Sequence, residues 1–373
     1  MSDLTIERVQ TAILDVPLRR PHRFARTGMA AQPLLLVTLT TRDGVSGVGE
    51  GVVPGGPWWG GESVETMQVV IEQYLAPLLL GRRVDDIAGI QQAMNDVANF
   101  NLYAKAAVEV ALHDAWARSL GVPVHTLLGG LARTSIPVTW ALGTEPAAEV
   151  VEEAQSKLAA GLHSSFKLKM GAQDPADDVA RIVEVAGKLA CDASVRVDLN
   201  ARWDLITSLR WLPRLADAGV DLIEQPVPGA EVEWLAEINA ALPIPVMADE
   251  SLRTPSDALR LVKLRAADVF SLKTTKSGGL RYTRAIAEIA AAAGVPCHGG
   301  TAIEGPIGTA ASLHLACASP AVTYGSELFG PLLMREELLT EPLRYADGSL
   351  HLPTGPGLGV ELDPAAVTRF TRS

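Results

Sequence analysis

The sequence predicts an α/β protein: a closed parallel (β/α) barrel preceded by a smaller α+β unit. Three observations carry this. Extended runs come first and helical periodicities follow them. The middle of the chain alternates short apolar runs with helical segments. Five successive strand ends of that middle part carry charge: Phe166-Lys167-Leu168-Lys169, Val197-Asp198-Leu199-Asn200, Ile223-Glu224-Gln225-Pro226, Ala248-Asp249-Glu250-Ser251 and Ser271-Leu272-Lys273. The charged residues recur about every 25 residues, one strand-plus-helix unit each.

The elements follow in order. Residues 4–16 and 34–41 are rich in Val, Ile, Leu and Thr, and a third extended run at 45–53 follows the Asp43-Gly44 turn. Apolar residues at steps of three and four predict helices over 64–78, 84–97 and 102–120, the last stopping at Gly121. Strands are predicted at 136–142, 165–170, 195–200, 222–226, 246–250, 269–273, 295–298 and 322–328. Helices fall between them, for example at 146–160 and 175–190. After Gly330 the alternation stops. Asp347-Gly348 is a turn and 355–359 a glycine-rich loop, so this tail is expected to pack back on the first unit.

Composition narrows the function. The 373 residues are 48% hydrophobic and 20% charged, which is ample for a buried core. The net charge is −11 and no basic cluster interleaves with aromatics, so nucleic acid is not an expected partner. Three cysteines without Cys-x-x-Cys spacing imply neither a disulfide framework nor a zinc knuckle. The start, Met1-Ser2-Asp3-Leu4, lacks a basic region before an apolar core, and no apolar helical stretch is long enough for a bilayer. A cytoplasmic protein without a membrane partner is the expectation.

Barrel active sites lie at the C-terminal ends of the strands. Asp198, Glu224 and Asp249 fall there on three adjacent strands. An all-oxygen donor set suits a hard cation, Mg²⁺ or Mn²⁺, rather than zinc. Taken singly, each acid reads as a cap or a surface charge; matching positions on three strands argue for a shared role. Asn200 and Glu250 are candidate supports for the ligands, or loop caps. Lys167 and Lys169 are two apart on one strand and therefore point the same way, into the barrel. Lys273 sits across the mouth from them, and Lys276 reads as a surface residue. Three carboxylates, a divalent cation and up to three ammonium groups leave a site of about +2, suited to a carboxylate that becomes a dianion in the transition state. A lysine beside such a cation is expected to have a lowered pKa and to exchange a proton near neutrality.

These residues resemble the enolase superfamily, in its muconate-lactonizing subgroup, over almost the whole chain. The matching motifs are Lys167-Leu168-Lys169, Asp198-Leu199-Asn200, Glu224-Gln225-Pro226, Asp249-Glu250-Ser251, Lys273 followed by Ser277-Gly278-Gly279, and Ser326-Glu327-Leu328-Phe329-Gly330-Pro331. A Lys or His base working with Mg²⁺ is general for that superfamily. The resemblance implies a modified (β/α)₇β TIM-like barrel at 131–329, an N-terminal α+β capping domain at 1–130, and a C-terminal segment, 330–373, that completes the capping domain. It implies Asp198, Glu224 and Asp249 as metal ligands, Lys169 as the acid/base, Lys273 on the opposite face, and Glu327 orienting a lysine by hydrogen bonding or forming a structural salt bridge. It further implies lactonization of cis,cis-muconate, a small dicarboxylate, through an enolate stabilised by the cation, and a homo-oligomer such as an octamer.

Other residues stay open. His298 ends the seventh strand, where the mandelate racemase branch carries a catalytic histidine, but its aspartate partner is replaced by Lys273; His298 is expected to line the pocket. Gly299, Gly300 and Thr301 follow it and look more like muconate cycloisomerases than dipeptide epimerases. Two loops of the first unit, Pro21 to Gly28 and Pro54 to Gly61, are expected to complete the pocket, with Trp58 and Trp59 either excluding water or packing. The same machinery would serve an N-acylamino acid racemase, a dipeptide epimerase or an o-succinylbenzoate synthase. A Schiff-base lyase using Lys169 or Lys273, and a non-catalytic barrel, are the readings outside this chemistry.

Overall fold

The extended runs of the first unit form a three-stranded antiparallel sheet. In the computed structural model, which describes residues 3–23 and 28–372, β1 (Ile6–Arg23) pairs with β2 (Gly28–Thr41), and β2 with β3 (Ser46–Gly51). Side chains of β1 and β2 alternate between two cores, as the period-two geometry of a strand requires. Ile13, Leu35, Val37 and Leu39 face the helices of this unit, while Leu14, Val16, Leu34 and Leu36 join the core that continues into the barrel.

The helices are α1 (Pro57–Gly60), α2 (Val64–Val70), α3 (Ala76–Leu79), α4 (Ile87–Val97), α5 (Leu102–Leu120) and α6 (Val124–Leu127). A π turn, Ile71–Leu75, links α2 to α3 within the stretch predicted as one helix. The long helix α5 lies directly on β3. A Cβ at Gly47 would fall 2.3 Å from the Ala111 carbonyl, and one at Gly49 would fall 1.9 Å from that of Ala107. A glycine stripe on the strand thus meets an alanine stripe on the helix (Ala107, Ala111, Ala115), and the backbones touch. With its odd positions facing α5, β3 turns Glu50 the other way.

The middle of the chain runs β4 (Ser135–Pro137), β5 (Trp140–Leu142), α7 (Ala147–Ala159), β6 (Ser165–Lys169), α8 (Pro175–Leu189), β7 (Ser194–Asp198), α9 (Leu205–Asp217) and β8 (Leu222–Glu224). It continues with α10 (Val232–Ala241), β9 (Val246–Ala248), α11 (Pro255–Leu264), β10 (Val269–Leu272), α12 (Leu280–Ala292), β11 (Cys297–Gly299), α13 (Pro306–Ala318) and β12 (Val322–Ser326). Strands β5 to β12 form one parallel sheet in sequence order, and a bridge between Val138 and Ser326 brings its two ends together. The sheet is therefore a curled TIM-like barrel with helices outside. The run 136–142, expected as a single strand, is divided. Pro137 ends β4, and the chain then turns so that the Thr139 N–H meets the Ser326 carbonyl at 2.6 Å.

The last segment holds α14 (Gly330–Leu333), the hairpin β13 (Tyr345–Ala346) and β14 (Ser349–His351) around Asp347-Gly348, and α15 (Pro364–Phe370). β14 pairs with β4, while Leu18 bridges Met334 and Leu14 bridges Thr371. Among the described residues no helix is long and apolar enough to cross a membrane.

Helix starts surround the mouth of the barrel. Asp174, Asp204 and Thr254 cap α8, α9 and α11 with their own side chains. α12 and α13 begin at Gly279 and Gly305 and have no such cap. The capping domain supplies it. Glu109 of α5 accepts from Leu280 N (2.7 Å) and Arg281 N (2.9 Å), and Glu50 of β3 accepts from Gly305 N (2.6 Å) and Gly308 N (3.1 Å).

Candidate active site

Parallel register sets the site. Lys169 stands beside Asp198, and Asp198 beside Glu224, in adjacent strands. Asp249 follows β9 directly and Lys273 follows β10. All five side chains are buried, as is Lys167. Lys167 and Lys169 do point inward together.

Each ammonium group rests on carboxylates. Lys167 Nζ donates to Glu224 (2.7 Å) and Glu327 (2.5 Å) and lies 3.2 Å from Asp198. Lys169 Nζ donates to Asp198 (2.5 Å) and to Asn200 Oδ1 (3.1 Å). Lys273 Nζ donates to Asp249 Oδ2 at 2.6 Å. Lys276 is not a surface residue. It is 1% exposed and donates to Asp249 Oδ1 (2.5 Å) and to the Asp249 carbonyl (2.6 Å). The turn after β10 thus brings Lys276 to one carboxylate oxygen of Asp249 while Lys273 takes the other.

The electrostatics follow from this crowding. Burial alone would lower the pKa of Lys167, but Glu224, Glu327 and Asp198 outweigh it and hold the group well above the ordinary lysine value. Lys273 is likewise raised against burial, chiefly by Asp249. Burial dominates at Lys276, which is lowered. Burial pushes Glu224 up to about 8, with Asp198 adding to it, and Glu250 up to about 7, with Asp249 adding. Asp249 and Asp198 are held low, Lys273 and Lys169 overcoming burial.

Five carboxylates (198, 224, 249, 250, 327) and four lysines (167, 169, 273, 276) meet here, two acids and one lysine more than the three of each summed from the sequence. Among the described residues no three carboxylate, imidazole or thiolate groups are arranged as a metal would need. The oxygens of Asp198 and Asp249 lie on ammonium groups instead. The donor chemistry nevertheless fits a hard cation. Glu224 Oε1 and Glu250 Oε2 are buried without a hydrogen-bond partner, and the acids raise one another's pKa.

Two residues brace the acids from behind. Gln225, at φ 33°, turns its amide oxygen to the Asp249 N–H (2.9 Å) and to the Ser251 N–H and hydroxyl (3.2 and 2.8 Å). Asn200, at φ 43°, donates to Asp198 and Glu250, both at 3.3 Å. Such left-handed conformations cost of order 1 kcal/mol and persist where surroundings fix them.

A small cavity opens above these groups, and Lys169 and Lys273 stand on its wall. Thr301, Ala302, Ile303 and Phe329 form the side over β11 and β12, and Trp58 and Trp59 the side toward the capping domain. Trp59 does more than pack. Its Nε1 donates to Glu250 Oε1 at 2.9 Å, its face lies 4.4 Å from Lys273 Nζ, and its edge meets Tyr103. Trp58 donates to the Pro54 carbonyl at 2.9 Å.

His298 does not line the cavity. It lies beneath, with Nδ1 3.0 Å from the Tyr324 carbonyl and Nε2 3.9 Å from Glu327, which it helps orient. Gly299 contributes its carbonyl to the Glu327 N–H at 2.7 Å. Of the loop from Pro21 to Gly28, residues 24–27 lie outside the described residues. Lys276, Gln225, Glu50 and Glu109 had no assigned role in the sequence. For Glu50 a signal existed: a lone acid in Gly47-Val48-Gly49-Glu50-Gly51, where alternate glycines mark one face as closed.

Comparison with known proteins matches both halves of this arrangement. Residues 8–129 match the mandelate racemase/muconate lactonizing enzyme N-terminal domain, and residues 149–366 the enolase C-terminal domain-like family. Muconate cycloisomerase 1 of Rhodococcus opacus is 62% identical over 373 residues, the whole of both chains. A chloromuconate cycloisomerase of Cupriavidus necator is 42% identical over 99% of this chain and all of its own. Among solved structures, muconate lactonizing enzyme from Pseudomonas fluorescens, complexed with muconolactone, superposes with a TM-score of 0.97 at 40% identity over the full length of both chains. The 2-chloromuconate cycloisomerase of Rhodococcus opacus 1CP superposes at 0.96 with 44% identity, over 99% of this chain and all of that one.

Proposed function

This chain belongs to the mandelate racemase/muconate lactonizing enzyme family of the enolase superfamily, and on that footing we propose that it is a muconate cycloisomerase, a divalent-metal-dependent isomerase that closes cis,cis-muconate to muconolactone. The observation that carries the substrate is full-length likeness to muconate and chloromuconate cycloisomerases. The cavity supports it chemically, with ammonium groups on opposite walls and carboxylates between.

Asp198, Glu224 and Asp249 would hold the cation, Mg²⁺ or Mn²⁺. When bound it supplies positive charge where the substrate carboxylate becomes enolate-like. The chain's own residues do the rest. The distal carboxylate of the substrate adds to the conjugated double bond, forming the ring C–O bond and shifting an electron pair toward the proximal carboxylate. Lys169 Nζ then gives one proton to the α-carbon, so a dianion and a proton become a monoanionic lactone. Asp198 and Asn200 hold that Nζ in place. Lys273 and Lys276 keep Asp249 ionised, and Glu327 fixes Lys167. Trp58 and Trp59 exclude water from the ring-closing geometry. The protein is proposed to work in the cytoplasm as a homo-oligomer on a small dicarboxylate.

The test is incubation of purified protein with cis,cis-muconate and Mn²⁺ or Mg²⁺ in D₂O. Loss of the diene absorbance with one deuterium on the side-chain carbon α to the free carboxylate of the lactone is expected. If no lactone forms and deuterium instead enters the α-position of an N-acylamino acid, the site performs 1,1-proton transfer and this reading is wrong.

A further inference from the structure

The turn from Thr274 to Gly279 joins β10 to α12 and carries Lys276. Gly279 N closes it on the Thr274 carbonyl at 3.1 Å. Gly278 and Gly279 stand at φ 81° and φ 115°, which glycine adopts without strain. The Lys276 ammonium group is given wholly to one residue, donating to the Asp249 carbonyl (2.6 Å) and to Asp249 Oδ1 (2.5 Å). Bonds to the main chain and the side chain of the same aspartate tie the orientation of that carboxylate to the place of the turn.

Two side chains of the capping domain hold the turn. α12 has no side-chain cap of its own. Glu109 of α5, fully buried, takes the N–H groups of Leu280 (2.7 Å) and Arg281 (2.9 Å). It reaches them because Gly279 carries no side chain: a Cβ there would fall 2.3 Å from Glu109 Oε2. Gln91 of α4, 1% exposed, grips the same stretch. Its amide nitrogen donates to the Gly278 carbonyl at 3.3 Å, and its oxygen accepts from the Arg281 guanidinium at 2.8 Å. The chain that follows Lys276 is thus fixed at residues 278, 280 and 281 from across the seam, while β10 fixes the chain before it.

We propose that Glu109 and Gln91 are positioning residues for Lys276 and, through it, for Asp249. The inference rests on the reading above, in which Asp249 helps to hold the cation and the cavity binds a dicarboxylate. The grip sets where α12 begins, the start of α12 sets where the turn ends, and the turn sets how Lys276 holds the Asp249 carboxylate. A plain helix cap would act on α12 alone; this one reaches an acid of the site.

Hydrogen exchange, with Mn²⁺ and without it, tests this on the wild type, Glu109→Gln, Gln91→Met, Lys276→Met and the combination of Glu109→Gln with Lys276→Met. Protection of the peptide covering 246–252, which contains Asp249, is read relative to the peptide covering 194–199. Glu109→Gln leaves one N–H of α12 without its acceptor, whereas Gln91→Met releases the Gly278 carbonyl and keeps that cap. Each should lower protection at 246–252 about threefold or more, and Lys276→Met should lower it at least as far. The combined variant should lose no more than Lys276→Met alone, since residues that act through one another are not additive. In turnover, Glu109→Gln should raise KM about fivefold with kcat within about threefold. Protection lost at 274–283 but unchanged at 246–252 in both Glu109→Gln and Gln91→Met overturns the proposal, as do additive losses in the combined variant. Should Glu109→Gln or Lys276→Met fail to fold, Gln91→Met decides alone. A wild type that makes no lactone sinks the proposed substrate, and one whose 246–252 peptide ignores Mn²⁺ sinks the proposed cation site; in either case the comparison among variants still judges the grip.

Discussion

The two arcs of the barrel mouth are built differently. The arc over α8 to α11 carries Lys167, Lys169 and the three acids, and three of its four helices, α8, α9 and α11, are capped by Asp174, Asp204 and Thr254, residues of the barrel itself. The arc over α12 and α13 carries Lys273, Lys276 and the Thr301–Ile303 wall, and its helices are capped by Glu109 and Glu50 of the other domain. The first arc is internally complete. The second reaches its working form only when the domains are docked. The acids and Lys169 are therefore set by barrel register, while the loop from Thr301 to Ile303 and the start of α13 behind it are held at the seam.

The largest expected effect breaks the first arc. Lys169→Ala should lower kcat by about 10²–10⁴ while calorimetry still detects metal binding; near-normal turnover would remove Lys169 from the reaction.

The next effect acts on the seam through pH. His314 of α13 accepts from His125 N at 3.2 Å and faces the Leu358 carbonyl at 3.1 Å, joining barrel, capping domain and tail. Burial lowers its pKa to about 4. Its folded value lies below the unfolded one, so the unfolded chain binds the extra proton. The stability this neutral ring contributes is complete above the ordinary histidine value and is lost as pH falls toward about 4, up to roughly 3 kcal/mol. Glu50 has the opposite sign: raised to about 8, its contribution is present in acid and lost as pH climbs toward that value. His314→Gln should flatten the acid limb of a melting-temperature profile and leave the alkaline limb in place. An unchanged acid limb would mean the ring is already protonated when folded.

Glu109→Ala should cost about 1–3 kcal/mol in urea unfolding, since it leaves the buried Leu280 N–H unpaired and removes the partner of Arg281 N. It should raise KM more than it lowers kcat. A pure stability loss with unaltered kinetics would show that the cap of α12 does not reach Lys273. The smallest effect serves as the control: Asp204→Ala removes a local cap worth about 1 kcal/mol and should leave both kinetic constants alone.

Much of the first arc was legible in the sequence, because spacing encodes register. Charges recurring at one strand-plus-helix unit place Asp198, Glu224, Asp249 and Lys169 at one level of the barrel. The second arc was not legible for a physical reason. Its key contacts join residues far apart in the chain, Glu50 to Gly305 across 255 positions and Glu109 to Leu280 across 171. Nothing near Lys276 in sequence announces Asp249, so its burial could not be inferred. The division of 136–142 into β4 and β5 escaped because an unbroken apolar run says nothing about which sheet each half joins.

The glycine stripe of β3 has a mechanical consequence. Because strand and helix touch backbone to backbone there, neither can slide or tilt without the other, and the acid carried by each moves as part of one stiff plate. The two helix starts they grip must then be engaged or released in step. One inserted methyl at Gly49 should disturb both grips at once, a wound at the rear of the molecule felt at the opposite side of the substrate chamber.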